Sequence, residues 1–317
     1  MKMLIEVEKL QKYFGKREDT VKAVDGISLK IREGEIFGFL GPNGAGKTTS
    51  LRMMVGLLKP DSGKVRILGK DPSSNGKELK RHLGIIPQDL VMYEDLTVEE
   101  NLWFLAKIYD IPKEVAKERI DTLIAEMGLE DKRRARAKTL SGGLKRRLNL
   151  ILGLIHDPKI VLLDEPTSGL DPQSRVAVWE RIRKLPEQGK TVILTTHFME
   201  EADRLCERVA IIDHGKILVL DTPETLKASI GEGDLMELEL VDNSFLEPTK
   251  EVLTGYEGIE HVLIIGASVV IRGKALVSKL SQILNKIEPI AEIKNIKLRR
   301  TTLEDVFIHL TGRRLRS

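Results

Sequence analysis

Short apolar runs separated by polar turns open the chain. Met3–Leu10, Ala23–Ile31, Ile36–Leu40 and Val65–Gly69 each predict a strand, and Gly84–Gln88 predicts a short buried one that ends at a polar residue. The spacing then changes. Val98–Tyr109 and Pro112–Met127 place apolar residues three and four apart with charges between them, which predicts two helices. Pro112 suits a first helical turn, and Thr97 with Glu100 makes a capping box. Strands return at Lys159–Asp164, Thr191–Thr196 and Val209–Asp213, the last of which is expected to finish the sheet. Continuous apolar runs of this kind fit strands buried on both faces of a parallel sheet. The order predicts a mostly parallel α/β sheet interrupted by a helical insertion at about residues 89–156.

After Pro223 the pattern changes again. Leu235–Leu240 alternates as a strand, and Glu247–Leu253 has the length of a short helix. His261–Ile265 and Val269–Ile271 are apolar strands around a Gly266-Ala267-Ser268 hairpin turn. Ala275–Ile287 has helical spacing and Ile290–Leu298 reads as a further strand. That β-α-β-β-α-β order is the ferredoxin-like pattern, a small α+β domain. A last helix is expected from Thr301, with Glu304 completing its capping box and Leu303, Val306, Phe307 and Leu310 on its apolar face. Two domains are therefore expected, 1–225 and 226–317.

The chemistry concentrates at the ends of the predicted strands. Gly41-Pro42-Asn43-Gly44-Ala45-Gly46-Lys47-Thr48 follows the strand Ile36–Leu40 and precedes a helical segment that begins Thr48-Thr49. Glycines let such a loop turn tightly and aim several backbone N–H groups at one point. The helix N-terminus beyond adds partial positive charge, so phosphate is the natural occupant. Lys47 is placed to reach the β- and γ-phosphates of a nucleoside triphosphate, and the Thr48 hydroxyl to ligate Mg²⁺. The strand Lys159–Asp164 runs into a second carboxylate, Glu165. Asp164 at the strand tip suits a Mg²⁺ held through water, and Glu165 suits a general base for an attacking water. On its own, that strand would read as core with a solvated acidic turn. Beside the phosphate loop it reads as the second half of a nucleotide site. Ser141-Gly142-Gly143 begins another helix and offers a further anion site, although an isolated Ser-Gly-Gly is more often an ordinary helix cap.

Composition narrows the class without naming it. The 317 residues are 31% charged and 41% hydrophobic, with a formal charge of +3, too small to argue for nucleic acid. Cys206 is the only cysteine, which excludes an intrachain disulfide and fits a reducing cytosol. Charge at Lys2 and Glu6 comes too early for a secretion signal. No apolar run nears the ~18 residues of a membrane span.

Taken in order, the phosphate loop, the Gln88 turn, Leu140–Gly143, Asp164-Glu165, Ser168-Gly169-Leu170-Asp171 and His197 resemble the ATP-binding cassette family, specifically the ATPase subunits of membrane transporters. The resemblance covers about residues 3–222. It implies a RecA-like P-loop NTPase core with an antiparallel β subdomain and a helical insertion. It implies ATP and Mg²⁺ as cofactors, with Thr48, Gln88 and Asp164 serving the metal. It implies that Phe14 stacks on adenine, with Tyr13 as the fallback, that Gln88 senses Mg²⁺ and the attacking water, and that His197 contacts the γ-phosphate. Asp171 would couple two active sites, and Ser141–Gly143 would close over the nucleotide bound by a partner copy in a head-to-tail homodimer. Separately encoded permease subunits are implied, with this chain at the cytoplasmic face of the cell membrane. Leu144 stands where the family usually has Gln, which puts in doubt a polar contact from that position to the opposed nucleotide. An apolar residue there, and the tail Thr301–Phe307 followed by Leu310-Thr311-Gly312-Arg313, are similar to the branch resembling the daunorubicin exporters.

Two rival readings remain open at this stage. A cassette ATPase acting on nucleic acid or ribosomes would use the basic stretch Lys132–Arg136, although such proteins usually carry paired cassettes or coiled coils and no nucleic acid is expected here. A regulatory module would use the C-terminal domain to sense a small molecule.

Overall fold

The apolar run Ile36–Leu40 forms a fully buried central strand in the computed structural model, which describes residues 2–15, 20–229, 234–273 and 276–312. In chain order the elements are β1 (Met3–Phe14), β2 (Val21–Arg32), β3 (Ile36–Leu40), α1 (Lys47–Met54), β4 (Ser62–Ile67), α2 (Gly76–Leu79), β5 (Leu83–Ile86), α3 (Val98–Ile108), α4 (Lys113–Glu126), α5 (Gly142–Leu152), β6 (Ile160–Asp164), α6 (Pro172–Lys184), β7 (Thr191–Thr196), α7 (Met199–Leu205), β8 (Arg208–Asp213) and β9 (Lys216–Asp221). They are followed by α8 (Pro223–Ser229), β10 (Asp234–Leu240), α9 (Leu246–Leu253), β11 (Ile259–Ile265), β12 (Ser268–Gly273), α10 (Leu276–Ile287), β13 (Ile293–Arg300) and α11 (Leu303–Thr311). The chain divides into two compact units, Met1–Pro223 and Glu224–Arg314.

In the first unit, a sheet of order β5-β6-β7-β3-β8-β9 is parallel except at its last strand. A separate antiparallel sheet has the order β2-β1-β4. Leu51, Met53 and Met54 of α1 share one core with Phe37, Phe39 and Ile193 of the large sheet and Ile5, Val7 and Val65 of the small one. Phe37 and Phe39 meet edge to face at 5.3 Å, a favourable aromatic arrangement. The amphipathic segments α3, α4 and α5 lie between β5 and β6 in the chain and make the helical insertion. Thr97 and Glu100 form the reciprocal capping box that their spacing predicts.

Two expectations for this unit need correction. Val209–Asp213 does not finish the sheet: β9 pairs antiparallel beyond it, through a tight turn at His214 (φ 47°) and Gly215 (φ 76°). The strand β9 carries the apolar run Ile217–Leu220 but is only half-buried, as suits the edge of the sheet. The strand expected to reach Gly69 stops at Ile67, because Leu68 (φ 52°) and Gly69 (φ 78°) form a second left-handed turn.

The second unit is a four-stranded antiparallel sheet of order β11-β12-β10-β13, the ferredoxin-like arrangement. Met236, Leu238, Val269 and Ile271 form its core with Leu276, Ile283 and Ile287 of α10 and Leu253 of α9. The hairpin turn is Gly266-Ala267, since Ser268 already pairs in β12. The final helix begins one residue later than expected. Thr302, not Thr301, is its cap, and Asp305, not Glu304, answers it by accepting from the Thr302 backbone N–H and hydroxyl, both at 2.8 Å. The pairing goes to Asp305 because the same carboxylate takes both Arg299 Nη atoms, at 2.5 and 2.7 Å. Arg313 of the tail motif lies outside the described residues. Among the described residues, no helix is long and apolar enough to cross a membrane.

Candidate functional site

The site is built where β3, β6 and β7 deliver their C-terminal ends side by side, the usual location of ligands in open α/β sheets. The loop Gly41–Gly46 leaves β3 and enters α1. Gly41 N–H donates to Thr196 O at 3.3 Å, and Ala45 N–H to Pro42 O at 3.2 Å. Glycine is required at both ends of this loop. A Cβ on Gly41 would stand 2.1 Å from Ile212 O, and one on Gly46, at φ 101°, would stand 2.2 Å from Ala23 O. The loop therefore nests between β2 and β8, and Asn43, Gly44, Gly46 and the first residues of α1 line one cleft.

Lys47 is folded back over this loop. Its Nζ donates to Gly41 O at 2.8 Å and Pro42 O at 3.0 Å, and lies 3.4 Å from Glu165 Oε1. The side chain is 4% exposed, and burial pushes its pKa below the ordinary lysine value while Glu165 and Asp164 pull it back up. The ammonium is thus held by two carbonyls and the Glu165 carboxylate at the border of the cleft.

The two carboxylates are held differently. Asp164 Oδ1, at the end of β6, accepts from Thr48 Oγ1 at 2.8 Å and Thr195 Oγ1 at 2.5 Å. Glu165 takes φ 48°, a left-handed conformation that turns the chain off the strand. Its backbone N–H donates to Thr195 O and Thr195 Oγ1, each at 3.1 Å. Glu165 Oε2 lies 3.2 Å from His197 Nδ1, close enough for an ion pair but without hydrogen-bond alignment. Glu165 consequently sits between Lys47 on one side and His197 on the other.

Lys47, Thr48 and Glu165 border a cleft of about 410 Å³, whereas Asp164 and His197 do not line it directly. Asn43, Gly44, Gly46, Lys47, Thr48 and Thr49 line it, together with Gln88, Glu165 and Phe14. Phe14 is 44% exposed, and Lys12 Nζ lies 5.6 Å from the centre of its ring. Tyr13 does not line the cleft: its hydroxyl donates to Asp25 at 3.0 Å, and Lys22 lies 5.7 Å from its ring. The structure does not bring Ser141–Gly143 or Asp171 to this cleft. Ser141 caps α5 by accepting from Leu144 N–H at 3.4 Å, and Asp171 caps α6 by accepting from Ser174 N–H at 2.9 Å. The two helix starts are neighbours, since a Cβ on Gly143 would meet Ser174 Oγ at 2.5 Å.

Two contributors escape the sequence reading. Thr195 joins Asp164 to the backbone of Glu165, yet inside an apolar strand it reads as core. Arg146 is buried, although Lys145-Arg146-Arg147 reads as a solvated basic run. The available signal is its position one turn before Asn149 and Leu150, which are also buried.

Comparison with known proteins follows the same lines. The sequence profile described as ABC transporter matches residues 24–168. Nod factor export ATP-binding protein I of Paraburkholderia xenovorans is 39% identical over 314 residues, which cover 98% of this chain and 98% of that one. Linearmycin resistance ATP-binding protein LnrL of Bacillus subtilis is 34% identical over 317 residues, covering 99% and 100%. Among solved structures, a dimeric ATP-binding cassette in a post-hydrolysis state, bound to ADP and Pi, is 26% identical with a TM-score of 0.63, covering 69% of this chain and 98% of that one. CbiO1 of Clostridium perfringens, part of a transporter complex, is 28% identical with a TM-score of 0.65, covering 73% and 92%.

Proposed function

Since this chain belongs to the ABC transporter family, as an ATP-binding and ATP-hydrolysing subunit of exporter type, we propose that it hydrolyses Mg-ATP between two copies paired head to tail and so drives separately encoded membrane subunits. The observation that carries this reading is the flanking of Glu165 by Lys47 and His197 at the edge of the phosphate-loop cleft. Phe14 stacks on the adenine. The loop amides from Asn43 to Thr49 and the Lys47 ammonium hold the phosphates, and His197 steadies the γ-phosphate. Glu165 accepts the proton of the attacking water, with Gln88, which lines the same cleft, orienting that water. Proton transfer to a carboxylate in this position leaves a hydroxide-like nucleophile in line with the bond to be broken.

Thr48, Asp164 and Gln88 offer hydroxyl, carboxylate and amide oxygens, a donor set that suits Mg²⁺ and not a softer metal. When bound, the ion neutralises charge on the phosphate oxygens. The Thr48–Asp164 hydrogen bond supports this assignment, because it already holds two of the three oxygen donors together.

Ser141–Gly143, absent from the cleft of their own chain, suit the nucleotide of the opposed copy, with Asp171 beside them. Leu144 contributes no polar group there, so the Ser141 hydroxyl and the glycine amides carry that contact. Residues 226–317 act as an accessory domain that steadies the dimer or docks the membrane partner at the cytoplasmic face. The dimer and partner assignments draw support from the dimeric cassette and from CbiO1, which is part of a transporter complex. Phosphate release by the purified chain is expected with Mg²⁺, and loss of at least about 100-fold when EDTA removes it. A chain ending at residue 225 should retain ATP binding. Release that is indifferent to EDTA would contradict the metal assignment.

A further inference from the structure

Helix α5 begins beside Ser141 and carries Arg146 into the interior, where it is 4% exposed. Every hydrogen bond it makes goes to a main-chain carbonyl. Nε donates to Pro166 O at 2.6 Å. Nη1 donates to Pro87 O at 3.0 Å and Gln88 O at 2.8 Å, and Nη2 to Asp164 O at 3.1 Å and Glu165 O at 2.6 Å. A guanidinium carries five N–H donors in one rigid plane, and that plane here spans the ends of the neighbouring strands β5 and β6. One side of the fork holds the segment that presents Gln88, and the other holds the segment that presents Glu165. Asn149, one turn further along α5, adds to the first side: its Oδ1 accepts from Val91 N–H at 2.9 Å, and its Nδ2 donates to Pro87 O at 3.4 Å.

A cation buried among carbonyl dipoles, with no carboxylate bonded to it, is a costly way to fill a core. Burial pushes its pKa down, and the charges of Glu201, Asp164, Glu165 and Asp89 offset this only through space. Packing alone would be served by an apolar side chain. The feature that an apolar side chain could not supply is a fixed distance between two backbone segments. We propose that Arg146 is a positioning residue for hydrolysis, holding the backbone of Gln88 and that of Glu165 in fixed register so that both side chains address the same water. The inference rests on the function proposed above. It also ties the register to α5, whose first residues are those assigned to the opposed nucleotide.

Arg146→Lys keeps the charge but gathers its three donors on one atom, so it cannot span both segments. The expected result is a kcat lowered roughly 10–100-fold, the scale of misplacing a catalytic group by about an ångström. ATP affinity should stay within about 2-fold of the parent. The decisive readout is the same substitution in the Glu165→Gln background. If Arg146 acts by placing Glu165, removing that carboxylate first leaves little to lose, and the residual turnover should change by less than about 2-fold. An equal fold loss in both backgrounds, or a weakened ATP affinity with kcat preserved, would overturn the proposal and leave Arg146 a structural brace. Should Arg146→Lys not fold, Arg146→Gln, which keeps two donors without the charge, goes through the same cycle under the same criteria. A parent chain that releases no phosphate would instead defeat the underlying function. A parent that does, with Arg146→Lys equally active, defeats this inference alone.

Discussion

Glu165→Gln is expected to lower turnover by roughly 10²–10⁴-fold while ATP still binds. The substitution preserves shape and removes proton acceptance at the one carboxylate that lines the cleft among the described residues. Its Oε1 lies 3.4 Å from Lys47 Nζ and its Oε2 3.2 Å from His197 Nδ1, so the carboxylate sits between the lysine and the histidine. Asp164 cannot substitute for it. Its Oδ1 is already engaged by Thr48 and Thr195, which orients that carboxylate for a different task. The backbone hydrogen bonds from Glu165 N–H to Thr195 do not depend on the side chain, so the turn off β6 should survive. Steady-state phosphate release beside an ATP titration checks the expectation. Turnover within about 3-fold of the parent would remove Glu165 from the role of general base.

Lys47→Ala is expected to weaken ATP binding by about 10–150-fold, the equivalent of the roughly 1.5–3 kcal/mol that a hydrogen bond to a charged group contributes. The geometry makes the higher end reasonable. Lys47 reaches both the loop carbonyls and the carboxylate, and its deletion removes the side-chain donor from Gly41 O, while Pro42 O keeps the Ala45 N–H. It also leaves Glu165 facing incoming phosphate without a neighbouring positive charge. Thermal unfolding without nucleotide separates this loss from general damage to the loop. A calorimetric titration that returns parental affinity would contradict the assignment of the loop to phosphate.

Most of the α/β core was legible because buried parallel strands write long apolar runs. Thr191–Thr196 is the clearest case, since the run and the observed strand coincide. The ferredoxin-like unit was legible from its alternation of periods alone. The misses have local causes. β9 follows a two-residue turn whose left-handed first position is a histidine, and its apolar run Ile217–Leu220 could be read as a strand but not as the antiparallel edge of the same sheet. The last helix cap moved by one residue because Arg299, distant in pattern but near in space, selected Asp305 over Glu304. Cleft residues from contiguous motifs could be placed in advance. Thr195 and Arg146 could not, because their work is done toward backbone atoms of other segments, and a linear pattern carries no mark of that. The relation of Ser141–Gly143 to a nucleotide is a different case, since it depends on a second copy of the chain.

That second copy supplies the most direct test. Glu165→Gln protein should run as a monomer without nucleotide and as a dimer with Mg-ATP, followed by size-exclusion chromatography with light scattering. An isologous head-to-tail pairing forms both sites at once, so no half-paired species should persist. Adding Ser141→Arg should return the protein to a monomer while leaving ATP binding by each chain nearly intact, because a bulky cation at the exposed cap of α5 obstructs the opposed γ-phosphate and not the chain's own cleft. A dimer that ignores ATP, or one that survives Ser141→Arg, would contradict the account.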